Sequence, residues 1–214
     1  ERLVDRADIF VQAFRAGVID ELGFGYEEIR QRRPGIVYAS VTGYGSRGPL
    51  RERPGYDPLI QAYTGIMSLT GYPEGEPARV GGSVVDVGTG IVTALGILAA
   101  LQEKERTGEG THVESSLLAT SLGWVSYHIQ GYLASGVVPG RMGTGISMIA
   151  PYEAFQTRDG ELMISAGHDG IFERLCEALK LKELKDDERF MTNPLRVANR
   201  TELHGLIEEH TRKI

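Results

Sequence analysis

Ile36-Val37-Tyr38-Ala39-Ser40-Val41-Thr42 is a β-branched run with Pro34-Gly35 before it and Gly43 after it. A short apolar run fenced by turn residues reads as a strand buried on both faces. Upstream, Ile9-Phe10-Val11-Gln12-Ala13-Phe14 has the same character. Between the two, Val18 to Leu22 and Tyr26 to Arg33 read as helical; Gly23 and Gly25 interrupt them and Pro34-Gly35 stops them. Strand, helix, strand in that order predicts a right-handed crossover and parallel pairing. The fold class that follows is α/β.

Ligands collect at the carboxyl edge of such sheets. Arg15-Ala16-Gly17 leaves the first strand at that edge, and the long loop Gly43 to Gly55 leaves the second. Long loops without regular structure are usually functional or mobile. Arg47, Arg51 and Arg53 make this one basic, which suits an anion, although arginines on a loop are often merely solvated. Tyr56-Asp57-Pro58 then opens a helix expected to run to Ser68.

The next punctuated stretch is Gly81-Gly82-Ser83-Val84-Val85-Asp86-Val87-Gly88-Thr89-Gly90. Asp before a helix is a favoured cap, since its carboxylate accepts from the first free amides. A carboxylate at that position is also expected to stay ionised and to be a possible nucleophile. Both readings stand together. The glycines at 81, 82, 88 and 90 would let a ligand approach closely. The helix expected over Gly90 to Arg106 is apolar around most of its circumference and so predicts a buried helix.

Thr111 to Ser116 reads as a third strand and Ser116 to Leu133 as one helix, with His128 more plausibly structural than catalytic. Beyond the hinge-like Gly136 to Gly145, the pattern changes. Tyr152 to Thr157 and Glu161 to Ala166 flank Asp159-Gly160, a strong hairpin signal. Asp169 is expected to cap a helix over Gly170 to Leu179, and Thr201 the last one. Cys176 shares an apolar face with Phe172 and Leu179 and reads as core. The division expected is 1–118 for the large α/β part, 119–145 for a helical linker and hinge, and 146–214 for a small α+β part. The helical character of Glu1 to Ala7 and of Glu202 to Ile214, with no stop signal, points to a piece of a longer protein with both domains incomplete.

The chain has 214 residues and a formal net charge of −6, with Lys and Arg scattered, which argues against a nucleic-acid partner. A single cysteine excludes an internal disulfide framework and fits a reducing, cytoplasmic setting. No apolar run is expected to reach membrane-spanning length. The histidines and the cysteine show no metal-ligand spacing, so no metal is expected.

Several segments in order resemble the class III CoA-transferases, a family that also holds carnitine-CoA transferases and 2-methylacyl-CoA racemases. They are Val11-Gln12-Ala13-Phe14-Arg15-Ala16-Gly17, Leu22-Gly23-Phe24-Gly25-Tyr26, Gly43-Tyr44-Gly45 with Gly48-Pro49, Pro54-Gly55-Tyr56-Asp57, the Asp86 stretch with Gly96-Ile97-Leu98-Ala99-Ala100-Leu101, and Ala150-Pro151-Tyr152 with Phe155. The resemblance implies a Rossmann-like large domain with a smaller one, and two chains interlocked as a homodimer. It implies Asp86 as nucleophile, and coenzyme A as a substrate, with no tightly bound cofactor, held near Ala13, Phe14, Arg15, Arg53, Pro54, Gly55 and Tyr56. It places Tyr56, Gly143, Thr144 and Gly145 at the acyl and oxyanion side. Ala13 stands where the family usually has Asn, and Glu21 where some members place an Arg.

The reaction implied moves CoA from an acyl-CoA to a small carboxylic acid. The racemase branch has His before the Asp of a Gly-His-Asp segment, where this chain has Gly55-Tyr56-Asp57. A Tyr with a pKa of about 10 is a poor base at neutral pH, so transferase is favoured over racemase. A CoA-binding piece without activity is a third reading. A dinucleotide oxidoreductase is a weaker fourth, because the G-x-G-x-x-G spacing of Gly43-Tyr44-Gly45-Ser46-Arg47-Gly48 follows a strand but opens a long loop and not a helix.

Overall fold

A computed structural model describes residues 2–214. It divides into two compact units. The first gathers the described residues through Leu69 and Pro77–Pro139; the second gathers Thr70–Glu76 and Gly140–Ile214. The membership of Thr70–Glu76 in the second unit has no signal in its local sequence.

The first unit is built on a parallel sheet of β1 (Ile9–Gln12), β2 (Val37–Thr42) and β3 (His112–Ser116), in that order, with Val11 opposite Ala39 and Ala39 opposite Val113. Helices α1 (Val18–Glu21) and α2 (Tyr26–Arg32) connect β1 to β2. Helices α3 (Asp57–Tyr63), α4 (Ile66–Leu69) and α5 (Val84–Thr107) connect β2 to β3. This is the α/β order expected. Alternation along β2 sends side chains to opposite faces. Tyr38 packs with Ile29, Phe10 and Phe24, while Val41 packs with Ile60, Val85 and Leu117.

Several boundaries differ from expectation, each for a physical reason. Only Val4–Arg6 of the first segment is helical, as a 3-10 turn; Glu1 lies outside the described residues. Among the described residues β1 is an edge strand rather than a buried one: Val11 is 55% exposed, because only β2 pairs with it there. The helix expected over Pro58 to Ser68 breaks at Gly65, whose φ of 84° favours glycine. The helix expected over Ser116 to Leu133 is two, α6 (Leu117–Trp124) and α7 (Ser126–Ser135), separated by Val125, which is buried against Ile60 and Leu117. The Ser116 hydroxyl caps α6 by accepting from the Ala119 amide at 3.1 Å.

α5 is not buried all round. Val85, Thr89, Thr93 and Ala100 are buried, whereas Val87, Ile91, Leu95 and Leu98 are exposed. Threonine hydroxyls serve the buried side: Thr89 donates to the Val85 carbonyl, Thr93 to the Thr89 carbonyl, and Thr93 Oγ1 meets Ser115 Oγ at 2.6 Å. By length and composition α5 is apolar enough to cross a membrane, contrary to the sequence expectation, because Asp86 is the only charge before Glu103. One such helix is weak evidence of a membrane protein, since core helices of the same length pass the test.

The second unit holds the hairpin β4 (Tyr152–Gln156) and β5 (Glu161–Ser165), antiparallel with Ala154 opposite Met163, and helices α8 (Asp169–Ala178), α9 (Lys182–Lys185), α10 (Asn193–Ala198) and α11 (Arg200–Thr211). Its core joins Phe155, Phe172, Cys176, Phe190, Leu203 and Ile207. Burial pushes the Cys176 thiol up to about 11, which makes it inert as a nucleophile near neutral pH. Asp169 does not cap α8; that position belongs to His168, and Thr201 lies inside α11, after Asn199. The Asp169 carboxylate instead accepts from Arg196 at 2.7 Å.

Arg196 has no exposed surface. Its guanidinium also donates to the carbonyls of Ala150 at 2.8 Å and Phe190 at 2.9 Å, and its centre lies 4.5 Å from the Phe172 ring centroid. An ammonium cannot reproduce that planar fork. Arg196→Lys is therefore expected to cost about 2 kcal/mol, read as a lower denaturation midpoint at unchanged slope.

Candidate active site

The carboxyl ends of β1 and β2 and the first turn of α5 meet around a cavity of about 190 Å³. Ala13, Phe14 and Arg15 come from the end of β1; Thr42 and Gly43 come from the end of β2. Arg51, Arg53 and Gly55 come from the loop, with Asp86 on the helix side. The loop returns to its origin because two glycines touch. A Cβ on Gly43 would lie 2.6 Å from the Gly55 Cα, and one on Gly55 would lie 2.4 Å from the Gly43 Cα. Neither position admits a side chain, and the closed base makes an Ω-like loop that carries Arg51 and Arg53 back to the sheet edge. Arg51 pairs with Glu52 at 3.1 Å, whereas Arg15 and Arg53 have no ion pair among the described residues.

Asp86 does not cap its helix. α5 starts at Val84, so Asp86 sits within the first turn. The cap is supplied from α3: the Asp57 carboxylate accepts from the Val85 amide at 2.7 Å and the Asp86 amide at 3.3 Å. Its other oxygen accepts from Gln61 Nε2 at 2.6 Å, and Gln61 Oε1 in turn accepts from the Val80 amide at 2.9 Å. Asp57 is 2% exposed and Gln61 fully buried. A buried carboxylate is tolerable only with such partners. The consequence is chemical: with the amides already served, the Asp86 carboxylate is left to face the cavity. Partial burial, and then the charge of Asp57, hold the Asp86 carboxyl above the ordinary carboxylate range. Desolvation and a neighbouring acid thus act against the anion, opposite in direction to the stabilisation expected from the helix end.

Of the residues named from sequence, Ala13, Phe14, Arg15, Arg53, Gly55 and Asp86 share this cavity. Pro54 and Tyr56 are not on its wall; Tyr56 is exposed and occupies the N-cap position of α3. Gly143, Thr144 and Gly145 belong to the second unit. There the Gly143 amide donates to the Gly71 carbonyl and the Gly145 amide to the Met142 carbonyl, both at 2.9 Å, and Thr144 Oγ1 accepts from the Ala154 amide at 2.8 Å. Two of the three backbone donors are thus already engaged. His128 lines a separate apolar cavity of about 260 Å³ with Thr64, Leu69 and Tyr132, and its pKa is lowered by burial. Sequence reasoning missed Asp57 as an anchor, because its amide partners lie far along the chain. It also left Arg51 among the solvated arginines.

The glycines of the Asp86 stretch divide by role. A Cβ on Gly88 would fall 1.9 Å from Trp124 Cζ2, whereas Gly90 has nothing within 4 Å. Gly88 therefore seats the indole of α6 rather than a ligand. Gly88→Ala is expected to cost about 1–3 kcal/mol by overpacking, despite the better helix propensity of Ala. Gly90→Ala is expected to gain up to about 1 kcal/mol. Paired thermal melts check both signs.

The family model for CoA-transferase family III matches residues 1–213. The chain belongs to CoA-transferase family III. Acetyl-CoA:oxalate CoA-transferase of Acetobacter aceti is 39% identical over 208 residues, covering 97% of this chain and 54% of the relative. Succinate–glutarate CoA-transferase of Agrobacterium fabrum is 39% identical over 212 residues, covering 99% and 53%. Among solved structures, a CaiB/BaiF family protein from Brucella suis superposes with a TM-score of 0.79 at 42% identity, covering 100% of this chain and 56% of that one. A hypothetical protein from Mycobacterium tuberculosis does so with a TM-score of 0.88 at 31% identity, covering 100% and 57%. The chain thus spans about half the length of the family III relatives it matches. The fold expectation, a mixed α/β chain with a parallel sheet like that of CaiB/BaiF proteins, is borne out.

Proposed function

We propose that the protein containing this chain transfers coenzyme A from an acyl-CoA to a small carboxylic acid, with Asp86 as nucleophile. One observation carries the reading. Asp57 takes over the capping of α5, so the Asp86 carboxylate opens freely into a cavity lined by Arg15, Arg51 and Arg53.

An Asp86 oxygen attacks the thioester carbonyl carbon; the carbon–sulfur bond breaks, leaving a mixed anhydride and CoA thiolate. The thiolate attacks the Asp86 carbonyl, releasing the donor acid and forming an aspartyl-CoA thioester. The acceptor carboxylate attacks that carbonyl and expels the thiolate to give a second anhydride. Thiolate attack on the acceptor carbonyl then yields the new acyl-CoA and regenerates Asp86. Two easier acyl exchanges replace one difficult one. The ends of β1 and of the loop, Ala13 to Arg15 and Arg53 to Tyr56, receive CoA as a substrate, with no tightly held cofactor. Gly143-Thr144-Gly145 is kept in this scheme as the proposed source of amides for the oxyanion. The names of the relatives, acting on oxalate, glutarate or mesaconate, support a dicarboxylic acid as acceptor. The same reading takes the protein as an interlocked cytoplasmic homodimer with a large domain over 1–118, a linker over 119–145 and a small domain over 146–214. Nucleic acid and membrane have no part in it.

The test is incubation of the intact protein in deuterated water with acetyl-CoA or succinyl-CoA and oxalate or glutarate, reading both products and protein mass. CoA appearing on the second acid with a transient protein adduct is expected. Deuterium at the α-carbon without transfer would overturn the reading in favour of a racemase. CoA binding without either change would reduce the chain to a binding module.

A further inference from the structure

The three strands are crossed by a chain of polar contacts that the transfer chemistry does not use. The Phe14 amide lies 2.8 Å from Gln12 Oε1. Gln12 Nε2 lies 2.9 Å from Ser40 Oγ, and Ser40 Oγ lies 2.8 Å from His112 Nε2. Gln12 and Ser40 are 8% and 7% exposed. The first two links have a fixed direction. An amide N–H only donates, so Phe14 must face the Gln12 carbonyl oxygen, and the Gln12 NH₂ is turned to Ser40. That NH₂ also only donates, so Ser40 accepts from it. Ser40 Oγ keeps a second lone pair, so either partner can donate across the Ser40–His112 contact; a Ser40 proton given to Nε2 leaves His112 a neutral ring with its proton on Nδ1.

The surroundings suit a neutral ring. His112 stacks on Tyr26 at 4.5 Å and meets Tyr38 edge-on at 5.1 Å. Burial lowers its pKa, against the opposing charges of Glu114, Glu27 and Asp20. At its other end, the chain terminates on the backbone of the segment that lines the Asp86 cavity.

We infer that Gln12 is a positioning residue: a directed relay from the Phe14 amide through Gln12 and Ser40 to His112 sets the Ala13-Phe14-Arg15 rim in the shape that receives CoA. The inference rests on the reading of that cavity as a CoA site. It explains why a polar pair is kept between β1 and β2, where apolar side chains would pack without needing partners.

The deciding variant is Gln12→Glu. Its carboxylate still accepts from Phe14 but has no proton for Ser40, so Ser40 must donate to it and accept from His112. Nitrogen NMR of the intact protein is expected to find the His112 proton on Nδ1 in the unsubstituted protein and on Nε2 in Gln12→Glu. In parallel, Ser40→Ala and Gln12→Leu are expected to raise KM for acyl-CoA roughly three- to tenfold, with a smaller change in kcat. A proton on Nε2 before substitution, or a tautomer indifferent to Gln12→Glu, overturns the relay. An unchanged KM for acyl-CoA in Ser40→Ala and Gln12→Leu overturns the positioning role. The NMR readout needs no CoA and no truncation of Ser40. Absence of acyl-CoA turnover in the unsubstituted protein would therefore bring down the transferase reading, while the relay is still decided by the tautomer.

Discussion

Asp86→Asn is expected to lower CoA exchange by at least about 10³-fold and to abolish the covalent adduct in intact-mass spectra. The amide is nearly isosteric but cannot attack a thioester, so the loss falls on kcat. Stability should move the other way. The folded-state pKa of Asp86 is raised, by burial first and by Asp57 second. A raised carboxyl favours folding in its protonated form, so that contribution is present at acid pH and lost as pH rises through the folded pKa. At neutral pH the ionised group therefore opposes the fold. Asn, neutral at every pH, is expected to hold or raise the melting temperature at pH 7, with the difference vanishing on acidification. Loss of activity together with a lower melting temperature at pH 7 would instead mark Asp86 as structural.

The second large effect is on Asp57. Asp57→Ala leaves the buried Val85 amide and Gln61 NH₂ and the part-buried Asp86 amide without acceptors. About 1 kcal/mol for each orphaned donor sums to about 3 kcal/mol, or about 10 °C in the melting temperature. Activity should fall as well, because the first turn of α5 carries Asp86. Asp57→Asn separates the two roles. It keeps one oxygen for the helix amides but removes the charge that raises the Asp86 pKa. In the proposed mechanism the reactive form of Asp86 is the anion, so the acid limb of the transfer rate is expected to move to lower pH in Asp57→Asn. An acid limb that stays in place would show that Asp57 acts on Asp86 through the backbone alone.

The relation between these carboxylates marks how far the linear sequence could be read. The strands at Ile9 and Val37 were legible because their patterns are local: β-branched runs end at glycine or proline, and a crossover of that length forces parallel pairing. Asp86 was legible as a lone acid ahead of a long apolar helix. The hairpin was legible from its local turn residues too, although the turn formed is Arg158-Asp159 closed by the Thr157 amide on the Gly160 carbonyl, not an Asp-Gly turn. In each case the deciding interaction lies within a few residues.

The misreadings share the opposite feature. Asp86 and Asp169 looked like caps, yet the acceptor for α5 comes from Asp57, and Asp169 is engaged by Arg196. Local spacing cannot distinguish a residue that caps from one whose capping role is taken over by a distant partner. α5 looked buried because its sequence is apolar all round. Burial depends on what lies against each face, and the sheet covers only the side with Thr89 and Thr93. Gly88 looked like room for a ligand and is the seat of Trp124.

The sequence by itself thus determined the element order, the parallel sheet, the family and the acid at the helix start. Local propensity and alternation are properties of neighbouring residues. Only the tertiary structure decided that the capping of α5 falls to Asp57 and leaves Asp86 on a cavity wall, that Arg51 joins Arg15 and Arg53 there, and that Gln12, Ser40 and His112 lie in one line of polar contacts. Each of these depends on groups far apart in the chain being brought within hydrogen-bond reach or onto one cavity wall, and burial then fixes which group must donate and which must accept.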